Sequence, residues 1–463
     1  MVSCHNGGRF SNNVQQSVRL RGISVNATSS STRIRRGGLK AIADHRQSGR
    51  RILVVLSCLA LGQISPAEGQ EAIRMSLAGA SAAEGLSAAT ANPGFYNLQL
   101  GQTLWRVGTG MGFRFDDNIN LVPQNREWDM ILSPRMDARV LWPLSDWQSL
   151  SLNLGGGYSA YLEHSSMNRP FITPNSELAF NMFAGDFRIN LHDRFSLDET
   201  AFLDSTVAGN GGLAQFQNTV GLNVIWDLNK VILKAGYDHA DYTAVNGGNG
   251  LPDRSSDTFS ISAGYSILPA MVAGLEAGGG LLQNANPGTN AAFSSASQWN
   301  LGPFIQTRIT DHINFSLHAG YTANQPEAIG SAQPLADFNG FYAQAALEHR
   351  VNQFLDYNIS GGHSLDSNVY GGYVELEKVD FSANWKIFHK ISLITGFDWQ
   401  HGRQVDTGLA ETFDHFGPVV ELGRAVTEKW SGKVSYRHLQ RNSDVAGRDY
   451  TVNEVFLQFV RQF

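Results

Sequence analysis

Cysteine is almost absent. The chain has 463 residues and two cysteines, Cys4 and Cys58, both near the amino end. From residue 68 onward there is no thiol, which excludes disulfides, cysteine-based metal sites and cysteine nucleophiles there. Charged residues make up only 16% of the chain. No window approaches the ~20 continuous apolar residues that a spanning helix requires. The thirteen histidines are scattered, and none pairs at i, i+4 with a glutamate in a metal-binding helix pattern. Gly155-Gly156-Gly157 and Gly278-Gly279-Gly280 lack the following helix and lysine of a phosphate loop. Strand glycines of this kind suit bends or close packing against aromatic neighbours.

What is present is glycine (48), phenylalanine (26), tyrosine (13) and tryptophan (9) in a chain that is 42% apolar. From Leu104 onward apolar and polar residues alternate with period two, in segments of ~10–16 residues. Trp105, Val107, Thr109, Met111, Phe113 and Phe115 share one face of the first segment, opposite Arg106, Gly108, Gly110, Gly112 and Arg114. In the second, Met130, Leu132, Met136, Ala138, Val140 and Trp142 oppose Ser133, Arg135, Asp137 and Arg139. Tight turns near Asp146, Gly185, Asn229, Pro269, Asp311, Asn352, His389 and Glu428 recur every ~40 residues, with longer connections between them. These segments predict about eighteen antiparallel strands, or sixteen if one hairpin is misread. A propeller with the same period needs four strands per blade, and each period here holds only two. Trp142, Trp147, Trp226, Trp385, Trp399 and Trp430 gather at strand ends, the place of an interfacial aromatic girdle. The fold expected is an all-β transmembrane barrel over residues 104–463.

The two ends of the chain supply the address. Val455, Leu457, Phe459 and Phe463 alternate along a last strand that stops on an aromatic carboxyl terminus. The terminus resembles the assembly signal of bacterial outer-membrane barrels, although Arg461 stands where an aromatic is usual. At the amino end, Arg46, Arg50 and Arg51 precede an apolar stretch over 52–62, and Ser65-Pro66-Ala67 is a small-x-small cleavage site. Residues 1–45 thus form an upstream extension, 46–67 a secretory signal, and 68–103 a flexible Ala/Gly/Ser-rich periplasmic lead-in. Val55-Leu56-Ser57-Cys58 loosely resembles a lipoprotein box, an alternative that would lipidate Cys58. The chain has 35 basic and 41 acidic residues; residues 1–67 take ten bases and one acid, so the remainder carries 25 against 40, a net of −15. That charge excludes a nucleic-acid partner.

If the apolar faces meet lipid, the opposite faces line a lumen too wide for side chains to fill. The pore-lining candidates are Arg106, Arg114, Arg135, Asp137, Arg139, Arg188, Arg194, Lys433 and Arg437. Strands one, two and seventeen flank the closing seam, so their bases gather on one wall. Asp227, Asp238, Glu276, Glu348 and Asp356 fall around the opposite wall. Two readings stand side by side: a transverse field that sorts solutes, or charges that pair across strands and hold the wall. His363, Ser364, Asp366 and Asp414 offer hydrolase chemistry by residue type only, so no catalytic residue, metal or cofactor is assigned.

Phe113-Arg114-Phe115-Asp116-Asp117-Asn118-Ile119-Asn120 closes the first strand. This segment resembles the aromatic-x-Asp-Asn opening of the beta-barrel porin type 2 family, whose members often accompany exopolysaccharide synthesis and secretion genes. The resemblance implies an outer-membrane channel with a tie to surface polysaccharide, and it brings no catalytic residues. Asp116, Asp117 and Asn118 read either as turn residues or as weak ligands for a divalent cation or bridges to lipopolysaccharide. The function expected is a channel for hydrophilic solutes or exported polysaccharide. The alternatives are a non-conducting structural or adhesive protein, or an outer-membrane hydrolase. Expected partners are outer-membrane lipid and lipopolysaccharide, the barrel assembly machinery, and the solute.

Overall fold

The two-residue period condenses into one sheet that closes on itself. The computed structural model describes residues 96–199, 204–245, 252–285, 294–327, 337–368, 372–388, 390–405 and 410–463. The expected leader (1–67) and residues 68–95 lie outside them. After a short β1 (Leu98–Leu100) the wall runs through β2 (Thr103–Asp116), β3 (Asp129–Ser145), β4 (Gln148–Tyr161), β5 (Arg169–Ala184) and β6 (Phe187–Glu199). Next come β7 (Ala214–Asp227), β8 (Val231–Ala244), β9 (Asp253–Leu268), β10 (Met271–Ala285), β11 (Ser295–Thr310), β12 (Ile313–Glu327) and β13 (Phe338–Arg350). The circuit ends with β14 (Leu355–Ser367), β15 (Tyr373–Phe388), β16 (Ile391–Val405), β17 (Ala410–Phe416), β18 (Val419–Ala425), β19 (Trp430–Ser443) and β20 (Tyr450–Gln462).

β17 and β18 are one wall strand, since both pair with β16 on one side and β19 on the other. The ladder breaks at Pro418, which has no N–H to give. Its carbonyl still accepts from His438 N at 3.0 Å, and Gly417 N donates to the Asp398 carbonyl at 2.8 Å. Counted as one, they make a closed antiparallel barrel of 18 strands, with the sixteen-strand alternative set aside. The tight turns fall where the sequence places them. Gly185 takes its turn at φ +61°, a left-handed backbone that glycine adopts without steric cost. The turn residue His389 lies outside the described residues, as do 200–203, 246–251, 286–293 and 328–336 in the longer connections.

The apolar faces point outward. Ile261, Leu275 and Phe341 are 62%, 61% and 61% exposed, members of a greasy belt that runs round the whole wall. So large an apolar surface is stable only against hydrocarbon. Trp142, Trp147, Trp226, Trp385 and Trp430 ring the short-turn end of this belt, while Trp128, Trp299 and Trp399 lie toward the other. Strands such as the 17-residue β3 exceed the ~9–11 residues needed to span, so the wall rises beyond the bilayer.

The closing seam is fastened at both ends. β20 pairs with β2 from Asp116↔Glu454 to Gly108↔Gln462, and Phe463 N donates to the Val107 carbonyl at 3.2 Å. There β20 runs out and β1 takes over, pairing Leu98↔Trp105 to Leu100↔Thr103. Asn97 bridges the handover: its side chain donates to Val107 O at 3.0 Å and accepts from Val107 N at 3.2 Å. The last residues of the expected lead-in are thus part of the sheet. At the other end Asp117 accepts from Asn453 N and Asn453 Nδ2, both at 2.7 Å. Asn118 Nδ2 donates to Thr451 O and Val122 O, each at 2.9 Å. Residues Asp117 and Asn118 therefore join the first strand to the last.

Candidate channel and its mouth

Alternation places Arg106, Arg114, Arg135, Asp137 and Arg139 on the inward positions of β2 and β3, and Arg188 and Arg194 on those of β6. Lys433 and Arg437 take the same side of β19. Most have an acid or amide close by. Arg135 reaches Asp137 at 2.5 Å, Arg194 reaches Glu177 at 2.7 Å, and Lys433 reaches Glu421 at 2.9 Å. Arg114 stands 3.8 Å from Glu454, Arg188 4.0 Å from Asp227, and Arg139 Nε donates to Asn153 at 3.2 Å. Arg106 and Arg139 face each other across the β2–β3 ladder, and Arg437 is registered opposite Glu454. The charges thus interleave more than two opposed walls would.

Val455, Leu457, Phe459 and Phe463 lie on the outward face of β20, 43%, 38%, 46% and 50% exposed. Arg461 shares that face, its guanidinium 5.5 Å from the Trp430 ring centre and 5.0 Å from that of Phe463. A cation set between two aromatic faces fills the place of the usual ring. The cation reading of Asp116, Asp117 and Asn118 meets a different geometry. Asp117 commits both carboxylate oxygens to Asn453, Asp116 Oδ1 accepts from Asn118 N at 2.8 Å, and Asp116 and Asn118 are fully buried. Among the described residues no group of three or more His, Cys, Asp or Glu could hold a metal.

The hydrolase candidates do not converge. His363 points outward, its ring stacked on Phe341 at 4.4 Å, and Asp414 pairs with His401 at 3.0 Å. Ser364 and Asp366 are buried on the inward side.

The mouth holds what the sequence did not signal. Residues 204–213, between β6 and β7, fold into the barrel and bury Val207 and Leu213 against Leu121, Leu439, Tyr450 and Val452. The approach is close: a Cβ on Gly211 would stand 1.5 Å from the Ile119 carbonyl oxygen. Ser205 Oγ donates to Gln400 of β16 at 2.7 Å, so the segment reaches wall strands far from its own. Arg441 of β19 donates through Nε to Ser205 O at 2.8 Å, and Arg448 through a terminal nitrogen to Thr206 O at 2.8 Å. Glu411 of β17 ties these arginines together, 2.7 Å from Arg441 and 2.8 Å from Arg448, with Arg441 and Glu411 fully buried. Arg441 also lies over Phe413, 4.4 Å from the ring centre. Gly402 makes room for that ring, since a Cβ there would meet it at 2.2 Å.

A second element enters from the opposite side. β13 and β14 pair only up to Ala343↔His363, although both strands continue. Above that point the tip of the β14–β15 hairpin packs Tyr373 against Leu282 and Ala296 of β10 and β11. Arg254 of β9 secures it, donating to Asn368 O at 2.7 Å while lying 4.3 Å over the Tyr242 ring. Burial pushes the Asp204 carboxyl up, against the opposing pull of Thr206 and of Arg254 and Arg441. Asp204, Glu411, Arg254, Arg441 and Arg448 are the functional candidates that strand reading missed. For Arg254, Glu411 and Arg441 the one sequence signal is a charged residue at an inward position near a strand top, and Asp204 and Arg448 lie in connections that give none.

A closed barrel with an outward apolar belt, aromatic girdles and a charged interior is the frame of an outer-membrane channel. The model of one family, described as "Putative beta-barrel porin 2", matches residues 99–463. The chain belongs to this porin family. It is an outer-membrane β-barrel channel for solutes. Comparison with curated proteins returns no match. Solved structures similar in fold include the outer membrane protein opdK from Pseudomonas aeruginosa, at 10% identity and TM-score 0.46, covering 78% of this porin and 99% of that chain. A BenF-like porin from Pseudomonas fluorescens Pf-5 is 9% identical with TM-score 0.46, covering 79% and 100%. OccAB2 from Acinetobacter baumannii is 11% identical with TM-score 0.46, covering 78% and 98%.

Proposed function

We propose that this porin passes small hydrophilic solutes, with a preference for anions, and acts as a channel rather than an enzyme. The observation that carries the reading is the inward arc of β2, β3 and β19. There Arg106, Arg114, Arg135, Arg139, Lys433 and Arg437 outweigh Asp137 and the neighbouring Glu421 of β18 and Glu454 of β20, while Asp116 and Asp129 at the top of the same arc are buried away from the path. Fixed positive charge facing a water-filled path concentrates anions and lowers their barrier. Passage of a polysaccharide finds less support. A sugar polymer slides on exposed aromatic faces, and none of the nine tryptophans occupies an inward strand position. Two segments also cross the mouth. The outward face of β20 fits recognition by the barrel assembly machinery, and the girdles fit contact with lipid and lipopolysaccharide. The test is conductance of the purified porin in a planar bilayer under a salt gradient. An anion-selective current is expected, and absence of any current overturns the reading in favour of a structural or adhesive role.

A further inference from the structure

We propose that Arg254, Arg441 and Arg448 form a binding site for a solute oxyanion, a carboxylate or a phosphate, whose donors are held at rest by the carbonyls of Ser205, Thr206 and Asn368, and that residues 204–206 withdraw when the anion arrives. The proposal deepens the channel reading and rests on it. Three guanidinium groups, from β9, β19 and the β19–β20 connection, flank residues 204–206 at the mouth: Arg441 and Arg448 through hydrogen bonds, and Arg254 through the charge of Asp204. Each spends a terminal or Nε donor on a neutral main-chain carbonyl: Asn368 O, Ser205 O and Thr206 O, at 2.7, 2.8 and 2.8 Å. A neutral carbonyl gives a guanidinium a single hydrogen bond without a counter-charge, whereas an oxyanion supplies the counter-charge and can pair bidentately with the planar fork. An oxyanion therefore competes well for these same donors. The charges lean the same way. Glu411 lies between Arg441 and Arg448 and cannot neutralise both, while the buried Asp204 interacts electrostatically with Arg254 and Arg441. Asp204 turns one oxygen back on its own loop, accepting from Thr206 N at 2.8 Å and Thr206 Oγ1 at 2.5 Å. It serves as a tethered counter-ion rather than a bidentate partner.

Arg254 carries the independent observation. It is 3% exposed, and its Nε has no hydrogen-bond partner among the described residues. A donor buried without a partner is costly, and an oxyanion on the Arg254 side satisfies it. Nothing but side-chain and main-chain movement is required, because residues 204–213 are a connection and not a wall strand.

The described residues contain no cysteine, so Ser205→Cys places one reporter thiol on the segment. Its labelling by a maleimide is measured on the whole folded barrel in detergent, with acetate, citrate, inorganic phosphate or chloride at equal ionic strength. Ser205 is buried at rest, so labelling is slow. Citrate or phosphate is expected to speed it at least about fivefold, the lower end of typical site-to-site coupling. The acceleration should vanish in Arg254→Gln and in Arg448→Gln variants that keep heat-modifiable mobility. Equal acceleration by chloride means screening only and overturns the site, as does acceleration that survives both variants or no acceleration by any oxyanion. Labelling does not depend on current. A barrel that responds to phosphate yet never conducts keeps this site and discards the channel.

Discussion

Strand β19 carries the same chemistry twice, in two settings. Near the short-turn end Lys433 meets Glu421 at 2.9 Å, with side chains 33% and 18% exposed. Near the mouth Arg441 meets Glu411 at 2.7 Å, with both side chains 0% exposed. The first pair faces water and is worth about 0–1 kcal/mol. The second has lost its water on all sides, so breaking it leaves a charge stranded at a cost of about 3–5 kcal/mol. The difference lies in the covering segment. Residues 204–213 seal the upper wall, whereas the lower wall is open to the path. The lower charges are thus free to act on solutes, and the upper ones are committed to holding structure until something competes for them.

The largest effect expected comes from the terminus that closes the barrel. Removing Phe463, or exchanging Phe459 and Phe463 for aspartate, should abolish surface assembly with little effect on export. Fractionated membranes probed for folded, heat-modifiable protein check this, and normal levels would show that the outward face of β20 is not an assembly signal. Next, Glu411→Ala should lower stability by about 3–5 kcal/mol and enlarge the conductance, because Arg441 and Arg448 lose their shared partner. The matched change Glu421→Ala should cost within about 1 kcal/mol. Unfolding in denaturant compares the two, and equal costs would erase the distinction between the regions.

A third outcome concerns the open wall alone. Charge reversal at Arg135 and Arg139 together should shift the reversal potential toward cation selectivity while leaving the mouth intact. The smallest effect is a pH response of the mouth. Burial raises the Asp204 carboxyl, so the docked segment takes up a proton at higher pH than the released one. Docking is therefore favoured as pH falls through that raised value and weakened as pH rises through it. Labelling of the Ser205→Cys thiol should slow on acidification, and an Asp204→Asn variant should lose the response.

Much of the barrel was legible in advance because a lipid-facing strand obeys a local rule. Each outward position that meets hydrocarbon must be apolar and each inward one is free to be polar, so Phe113 and Arg114 declare their faces without reference to any distant residue. The turns were legible for the same reason, being short breaks in that rule. The interleaving of the wall charges was less so. Asp137 beside Arg135 is a neighbour in sequence, but Glu421 beside Lys433 and Glu177 beside Arg194 follow from strand register. The family motif could be recognised, yet its work could not: Asp117 finds Asn453 only because the first strand pairs with the last.

The period and the two faces were written in the amino-acid order, because the bilayer acts on one strand at a time, whereas the choice of eighteen strands over sixteen came with the closed sheet. Only the tertiary structure decided what crosses the mouth. The infolding of residues 204–213, the inward tip of β14–β15 and the Arg441–Glu411–Arg448 knot bring together segments from distant points of the wall. No period encodes such contacts. They form because a closed wall brings its inward side chains round a shared interior, where buried charges must find partners wherever the chain supplies them.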